Sequence, residues 1–168
     1  MGNAVYFAAF SPSKGTEVWK TDGTEAGTVM LKDISVGSSG SIEENLVSFQ
    51  NIFTVVNGNL YFSARTLAAG YELWKSDGTA AGTSRIKDIN PGSQNSTPYS
   101  LGATSNLLLL SAYHPSFGDE LWQSDGTPNG TFMVQDIYGG DVSSVSPSIS
   151  SKGAVLDNKF IFGGMNNF

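Results

Sequence analysis

Hydrophobic residues occur along this chain in short runs separated by turn-forming glycine, asparagine, aspartate and serine. In the middle of the chain, Phe53–Val56 and Leu60–Ala64 flank an Asn-Gly pair, the pattern of a tight β-hairpin. Large apolar residues occupy odd and even positions of these runs, which is typical of strands covered on both faces. The later segment Ser84–Ile89 is mixed and charged, as in an outer edge strand. The pattern predicts a four-stranded sheet, with strands near residues 52–57, 59–65, 71–77 and 82–89.

A block of similar sequence occurs three times, with a tryptophan, an Asp-Gly-Thr turn and a final Gly-Thr in each copy. The copies are Glu17–Thr28, Glu72–Thr83 and Glu120–Thr131. An apolar run ends 12 residues before each tryptophan, and an Asp-Ile pair begins 14 residues after it. From that aspartate to the end of the next apolar run the distance varies, at 29, 22 and 26 residues. Constant spacing predicts a packed unit, and variable spacing predicts surface crossovers.

Repeats of about 40 to 50 residues with four strands each are typical of β-propeller blades. The repeat boundaries divide one domain, residues 1–168, into partial and complete blades. These are a partial blade at 3–35, blades at 52–90 and 99–138, and a partial blade at 153–164. The expected fold is all-β, with about three and a half propeller-type blades per chain. Open edges and apolar faces are unfavourable in water, so oligomerisation is expected to close or extend the array.

The second copy, Glu72–Thr83 followed by Lys87–Ser93, resembles the ELWxxDGT-repeat family of large bacterial proteins. The first copy has Val18 in place of leucine, and the third has Gln123 and Gln135 where the others have lysine. The resemblance implies a propeller-type fold and a secreted or cell-surface location, and it implies no defined activity. The Asp-Gly-Thr hairpin is also similar to the Asp-box turn of sialidase propellers, which is a structural turn.

The composition of the chain excludes several classes of partner and of chemistry. The net charge of −6 offers no basic field for nucleic acid, and the chain has no cysteine for a disulfide or thiolate site. No apolar run is long enough to insert in a membrane, and no signal peptide is visible. The expected partners are further copies of the chain, and glycans in the alternative function described below. The expected location is extracellular or at the cell surface.

The residues that recur in every copy are predicted to be structural. The aspartates and glutamates form hydrogen bonds at turns and strand ends, and the tryptophans pack between blades. These positions are Trp19, Trp74, Trp122, Asp22, Asp77, Asp125, Asp33, Asp88, Asp136, Glu17, Glu72 and Glu120. A calcium ion at the turns of Asp22, Asp77 and Asp125 is the alternative, since each turn offers a carboxylate beside hydroxyls and carbonyls. No other metal and no cofactor is expected.

No catalytic residue is predicted, and the expected function is a structural or adhesive module that self-associates and displays variable crossover loops. A lectin-like glycan-binding propeller is the first alternative. A sialidase-like hydrolase is the second, although the chain has only Arg65 and Arg85 for a substrate carboxylate. The single histidine, His114, precedes a proline in an expected loop, and no serine elbow accompanies it. The candidate ligand-binding residues are Asn95, Tyr99, Tyr113, Phe117 and Tyr138, together with Phe49.

Overall fold

The computed structural model describes residues 2–43, 52–145, 154–156 and 159–161. In this part of the chain the regular structure is entirely β, and no helix is long and apolar enough to cross a bilayer. The strands are β1 (Val5–Ser11), β2 (Gly15–Thr21), β3 (Val29–Met30), β4 (Phe53–Val56), β5 (Asn59–Thr66), β6 (Gly70–Ser76), β7 (Ser84–Lys87), β8 (Tyr99–Ala103), β9 (Leu108–His114), β10 (Gly118–Ser124), β11 (Phe132–Gln135), β12 (Ala154–Leu156) and β13 (Lys159–Ile161).

The strands form antiparallel meanders in chain order. The first sheet is β1-β2-β3, the second is β4-β5-β6-β7 and the third is β8-β9-β10-β11, while β12 and β13 form a hairpin. The prediction of repeated antiparallel sheets of three or four strands is confirmed, and the sheets are consistent with blade-like units. Within the described ranges they form no closed ring.

The constant gap of 12 residues has a direct structural cause. Phe7 lies opposite Trp19 in the register of β1 and β2, and Phe62 lies opposite Trp74 in the register of β5 and β6. The third copy pairs Leu110 with Trp122 in the same way. Any insertion between the two members of a pair would shift one strand against the other and turn its side chains to the opposite face.

The hydrophobic core lies between successive sheets. On the rear face of the first sheet, Val18 and Leu31 share a buried cluster with Phe62 and Trp74 of the second sheet. The rear face of the second sheet packs in the same way on the front face of the third. Burying each large side chain is worth about 1.5–3 kcal/mol, so each sheet depends on its neighbours for much of its stability.

Each sheet therefore has a front face, which meets the preceding sheet, and a rear face, which meets the following one. Leu60 of the second sheet and Leu108 of the third lie on front faces, and each is 1% exposed. Val5 holds the equivalent position in the first sheet and is 63% exposed. At Val5 the front face of the first sheet is thus uncovered by the rest of the described chain.

Candidate functional site

The Asp-Gly-Thr turn of the second sheet is held by its own side chains. The Oδ1 atom of Asp77 accepts hydrogen bonds from the backbone nitrogen and hydroxyl of Thr79, at 2.8 and 2.7 Å. The Gly82 nitrogen donates to the Thr79 hydroxyl at 2.9 Å, and a side chain at Gly82 would overlap the Asp77 carboxylate. The turns of the first and third sheets form the same bonds around Asp22 and Asp125. We call these segments, Thr21–Thr28, Ser76–Thr83 and Ser124–Thr131, the first, second and third loops.

The loop aspartates are charged but already engaged. Hydrogen bonds from the following threonine are the main cause that lowers the pKa of Asp22, Asp77 and Asp125. One oxygen of each carboxylate is therefore committed to the turn. The described ranges contain no group of three acidic or histidine side chains placed to hold a metal ion.

Lysines of the first sheet bind the second loop. The Nζ atom of Lys20 donates to the backbone oxygen of Gly78 at 2.7 Å. The Nζ atom of Lys32 donates to the backbone oxygen of Thr83, also at 2.7 Å. The first sheet thus supplies cations to carbonyl groups in the turn of the second sheet, where charge-assisted hydrogen bonds are strong.

The contact between the second and third sheets has the same design. Lys75 donates to the backbone oxygen of Gly126 at 2.6 Å, and Lys87 donates to that of Thr131 at 2.6 Å. A side-chain carbon at Gly126 would overlap the hydroxyl of Tyr61, so glycine gives the tyrosine its place against the loop. The lysine and the tyrosine face each other across the register of β5 and β6.

A tyrosine also approaches the loop at the first contact. Burial and the charge of Asp77 both raise the pKa of Tyr6, while Lys20 adds to the lowering of the Asp77 pKa. Burial and the charge of Asp125 raise the pKa of Tyr61 in turn. Each of the two contacts thus uses one tyrosine and two lysines of the preceding sheet, and we call these three side chains the Tyr–Lys–Lys set. Its members are Tyr6, Lys20 and Lys32 in the first sheet, and Tyr61, Lys75 and Lys87 in the second.

If the lysines hold successive sheets together, replacing Lys75 and Lys87 with methionine should lower the free energy of unfolding by about 1.5–3 kcal/mol per lysine. The matched control replaces Gln123 and Gln135, the equivalent residues of the third sheet, with methionine. Among the described residues, the Gln135 side chain donates to the adjacent backbone oxygen at 3.3 Å and to no carbonyl of another sheet, so the control should change stability little. Urea denaturation of both double variants measures the difference, and equal losses would contradict the role of the lysines.

The recurring glutamate is the most deeply buried charged group of the unit. Glu72 is 0% exposed and accepts hydrogen bonds from the backbone nitrogens of Ile89, at 2.7 Å, and Asn90, at 3.2 Å. The hydroxyl of Ser96 donates to the same carboxylate at 2.8 Å. Burial raises the pKa of Glu72 to about 7, although these three bonds act to lower it. Glu72 therefore fixes the start of the crossover to the body of the sheet.

The same arrangement closes the other two units. Glu17 accepts from the backbone nitrogen of Ser35 at 3.2 Å and from the hydroxyl of Ser41. Glu120 accepts from the backbone nitrogen of Ser144 at 3.1 Å and from its hydroxyl. Each of the bonded serine hydroxyls lies 24 residues after its glutamate. The sequence-based prediction did not include these serines, although their fixed spacing was a usable signal.

The tryptophans lie on the front faces of their sheets. Trp74 and Trp122 are buried in the contacts with the preceding sheets. Trp19 belongs to the open front face and is only partly buried. None of the three indole nitrogens has a hydrogen-bond partner in the described part of the chain.

The aspartates of the Asp-Ile pairs make local contacts. Asp33 pairs with Lys14 at 2.6 Å, and Asp88 pairs with Arg85 at 3.3 Å. Asp136 accepts from the backbone nitrogen of Gly139 at 2.8 Å. These positions thus serve turns and strand ends rather than a shared cavity.

One predicted ligand residue, Tyr99, lines a pocket between the second and third sheets. The pocket has about 600 Å³ of empty space, which includes open solvent. The hydroxyl of Ser63 in its lining has no hydrogen-bond partner among the described residues. The lining is mainly apolar and consists of Ile42, Glu43, Ile52, Tyr61, Phe62, Ser63, Leu73, Pro98, Tyr99, Ser100, Leu108 and Leu110.

The structure does not bring the other ligand candidates to this pocket. The side-chain oxygen of Asn95 accepts from the backbone nitrogen of a strand at 3.0 Å, so that amide supports the crossover. Tyr113 is 37% exposed in β9, and Phe117 stacks on His114 with ring centroids 5.0 Å apart. Tyr138 is half-buried after β11. The remaining candidate, Phe49, lies outside the described residues.

The fold and the contacts define the class as an all-β protein of repeated antiparallel sheets, in which the first and second sheets each bind the turn of the sheet that follows. No protein-family model, curated protein or solved structure matches the chain. Its function is therefore argued from its own surfaces.

Proposed function

We propose that the chain is a non-enzymatic structural or adhesive module of the β-propeller type, with about three and a half blades. In this proposal it works outside the cell or at the cell surface, self-associates, and displays variable crossover loops. The resemblance of its repeat to the ELWxxDGT family supports the fold type and the location.

The open front face of the first sheet is the observation that carries this proposal. Val5 is 63% exposed, although its equivalents in the next two sheets are covered. The first loop is likewise exposed at Thr28, whereas Thr83 and Thr131 are fully buried beneath a preceding sheet. A surface built like an internal contact, and left open, favours association with another sheet.

Self-association is assigned to the edge of the first sheet. In the second and third sheets, β5 and β9 are each paired on both sides, with β4 and β8 as the additional strands. The equivalent strand, β1, has a paired neighbour on one side only within the described residues. An unpaired edge of this length is a template for a strand from a second copy.

The non-enzymatic part of the proposal is supported by the state of the acidic side chains. Glu72 has a raised pKa, a property often found in catalytic acids, but it is fully buried and bonded through both oxygens. The loop aspartates are tied to their own turns. These groups are therefore occupied in holding the fold.

Light scattering behind a sizing column, over a series of concentrations, tests self-association. We expect a discrete multiple of the 17.7 kDa chain mass. Replacing Val5 with lysine should lower that mass, because lysine on an edge strand opposes pairing. Leu67→Lys is the matched control, since Leu67 is 79% exposed outside the open face. A wild-type monomer at every concentration would overturn the proposal.

A further inference from the structure

The first loop is built as an acceptor, yet no lysine of the described chain reaches it. It has the same internal bonds as the second and third loops. In the other two loops the carbonyls equivalent to those of Gly23 and Thr28 accept from lysines. The carboxylate of Asp22 is exposed beside these carbonyls. The loop therefore presents the charge of Asp22 and two carbonyl acceptors that no lysine of the described residues binds.

The third sheet lacks the tyrosine and the two lysines that would bind such a loop. Its residues at the positions of the Tyr–Lys–Lys set are Leu109, Gln123 and Gln135. In the hairpin β12–β13, Ile161 stands where the second sheet has its tyrosine. The two complete sets of the described chain, in the first and second sheets, are already occupied by the second and third loops. The described part of a second copy therefore offers no free set.

We propose that the first loop and the front face around it bind a β-sheet that lies outside the described residues and carries a tyrosine and two lysines at these positions. The inference rests on the proposed function, in which the module works through contacts between sheets. The incoming lysines donate to the carbonyls of Gly23 and Thr28, and the incoming tyrosine lies against Gly23.

The geometry at Gly23 agrees with this occupant. A side-chain carbon at Gly126 would overlap the hydroxyl of Tyr61, whereas one at Gly23 meets nothing within 4 Å. The space that the tyrosine fills at the third loop is thus open at the first. The exposed Val5 beside the loop offers the apolar contact that Leu60 and Leu108 make inside the chain. The charge and the shape of the first loop and its front face thus match those of the internal contacts between sheets.

A binding experiment with an engineered probe tests the inference. The probe is this chain with Leu109→Tyr, Gln123→Lys and Gln135→Lys, which restores the set on the third sheet. It also carries Gly23→Asn, which blocks its own first loop, because asparagine tolerates a positive φ better than other side chains. The target is the immobilised wild-type chain. The control probe carries Gly23→Asn alone.

The set-bearing probe is expected to bind the wild-type chain at least about tenfold more tightly than the control probe, a difference that added salt should reduce. Binding should be lost when the target itself carries Gly23→Asn. Equal binding by both probes, or no binding by either, would overturn the inference. If Leu109→Tyr prevents folding, the probe with only the two lysine substitutions gives the same comparison.

The two proposals fail separately. A wild-type monomer in light scattering, together with tight binding of the set-bearing probe, would contradict self-association and support the contact at the first loop. A wild-type oligomer that does not distinguish the two probes would do the reverse.

Discussion

Replacing Glu72 with alanine is expected to lower the free energy of unfolding by about 3–5 kcal/mol. The substitution leaves the backbone nitrogens of Ile89 and Asn90 and the hydroxyl of Ser96 buried without their acceptor. Urea denaturation measures the loss. Glu25→Ala is the matched control, because Glu25 is exposed and its removal should change stability by about 0.5 kcal/mol or less. Similar losses in the two variants would contradict the role of the buried carboxylate.

The same carboxyl makes stability depend on pH. Burial raises the pKa of Glu72 from 4.5 to about 7. Between these two pH values, Glu72 is therefore protonated in the folded chain and ionised in the unfolded chain. Its contribution to stability is complete below pH 4.5, decreases as the pH rises to about 7, and is then constant. Burial raises the pKa of Glu17 in the same direction. Glu72→Gln should therefore flatten this slope, and a pH profile parallel to that of the wild type would contradict the assignment.

Replacing Gly70 with alanine is expected to be the other severe change. Gly70 has a φ of +61°, and a side-chain carbon there would overlap the backbone of Gln94 in the crossover. Gly58 has a φ of +73°, but a side-chain carbon there would meet nothing within 4 Å. Gly58→Ala should cost about 1–2 kcal/mol through the backbone alone. Gly70→Ala should cost about 1–3 kcal/mol more, through the clash.

Thermal or urea unfolding of the two glycine variants separates the conformational cost from the steric one. The close approach recurs at Gly15 and Gly118, where the crossover again passes directly over the turn before the glutamate. If Gly58→Ala and Gly70→Ala lower the free energy of unfolding by the same amount, the crossover moves away from the new side chain at no measurable energetic cost. The glycine would then serve the turn and not the contact.

The strands were predictable because their signals are local. The short apolar runs, the Asn-Gly turn and the 12-residue gap describe neighbours in one sheet, and the register of Phe62 with Trp74 confirms that relation. The last strand of the second sheet was predicted near residues 82–89, but it begins at Ser84 and ends at Lys87. The chain leaves the sheet there because the backbone nitrogens of Ile89 and Asn90 turn to Glu72.

The contacts that unite the sheets were not predictable in the same way. The change from lysine to Gln123 and Gln135 is visible in the sequence, but its meaning depends on which carbonyls lie across the gap between two sheets. The bond from Ser96 to Glu72 lies within one unit and spans 24 residues, so its signal was the recurrence of that spacing in all three copies and not the sequence of one copy. The ligand candidates rest on exposure and residue type, and among the described ones Tyr99 lines the pocket between the second and third sheets.

The bond between each glutamate and its serine also sets where the repeat is free to change length. After Ser41, Ser96 and Ser144 the next described strand begins at Phe53, Tyr99 and Ala154, which leaves 11, 2 and 9 intervening residues. Sheets of one design thus follow linkers of very different length. The residue after each serine still donates its backbone nitrogen to the sheet, and Ile42 and Val145 at this position are buried. Protein engineers who wish to display a foreign peptide would therefore place it beyond this residue, where the anchored unit isolates the sheet from the length of the insert.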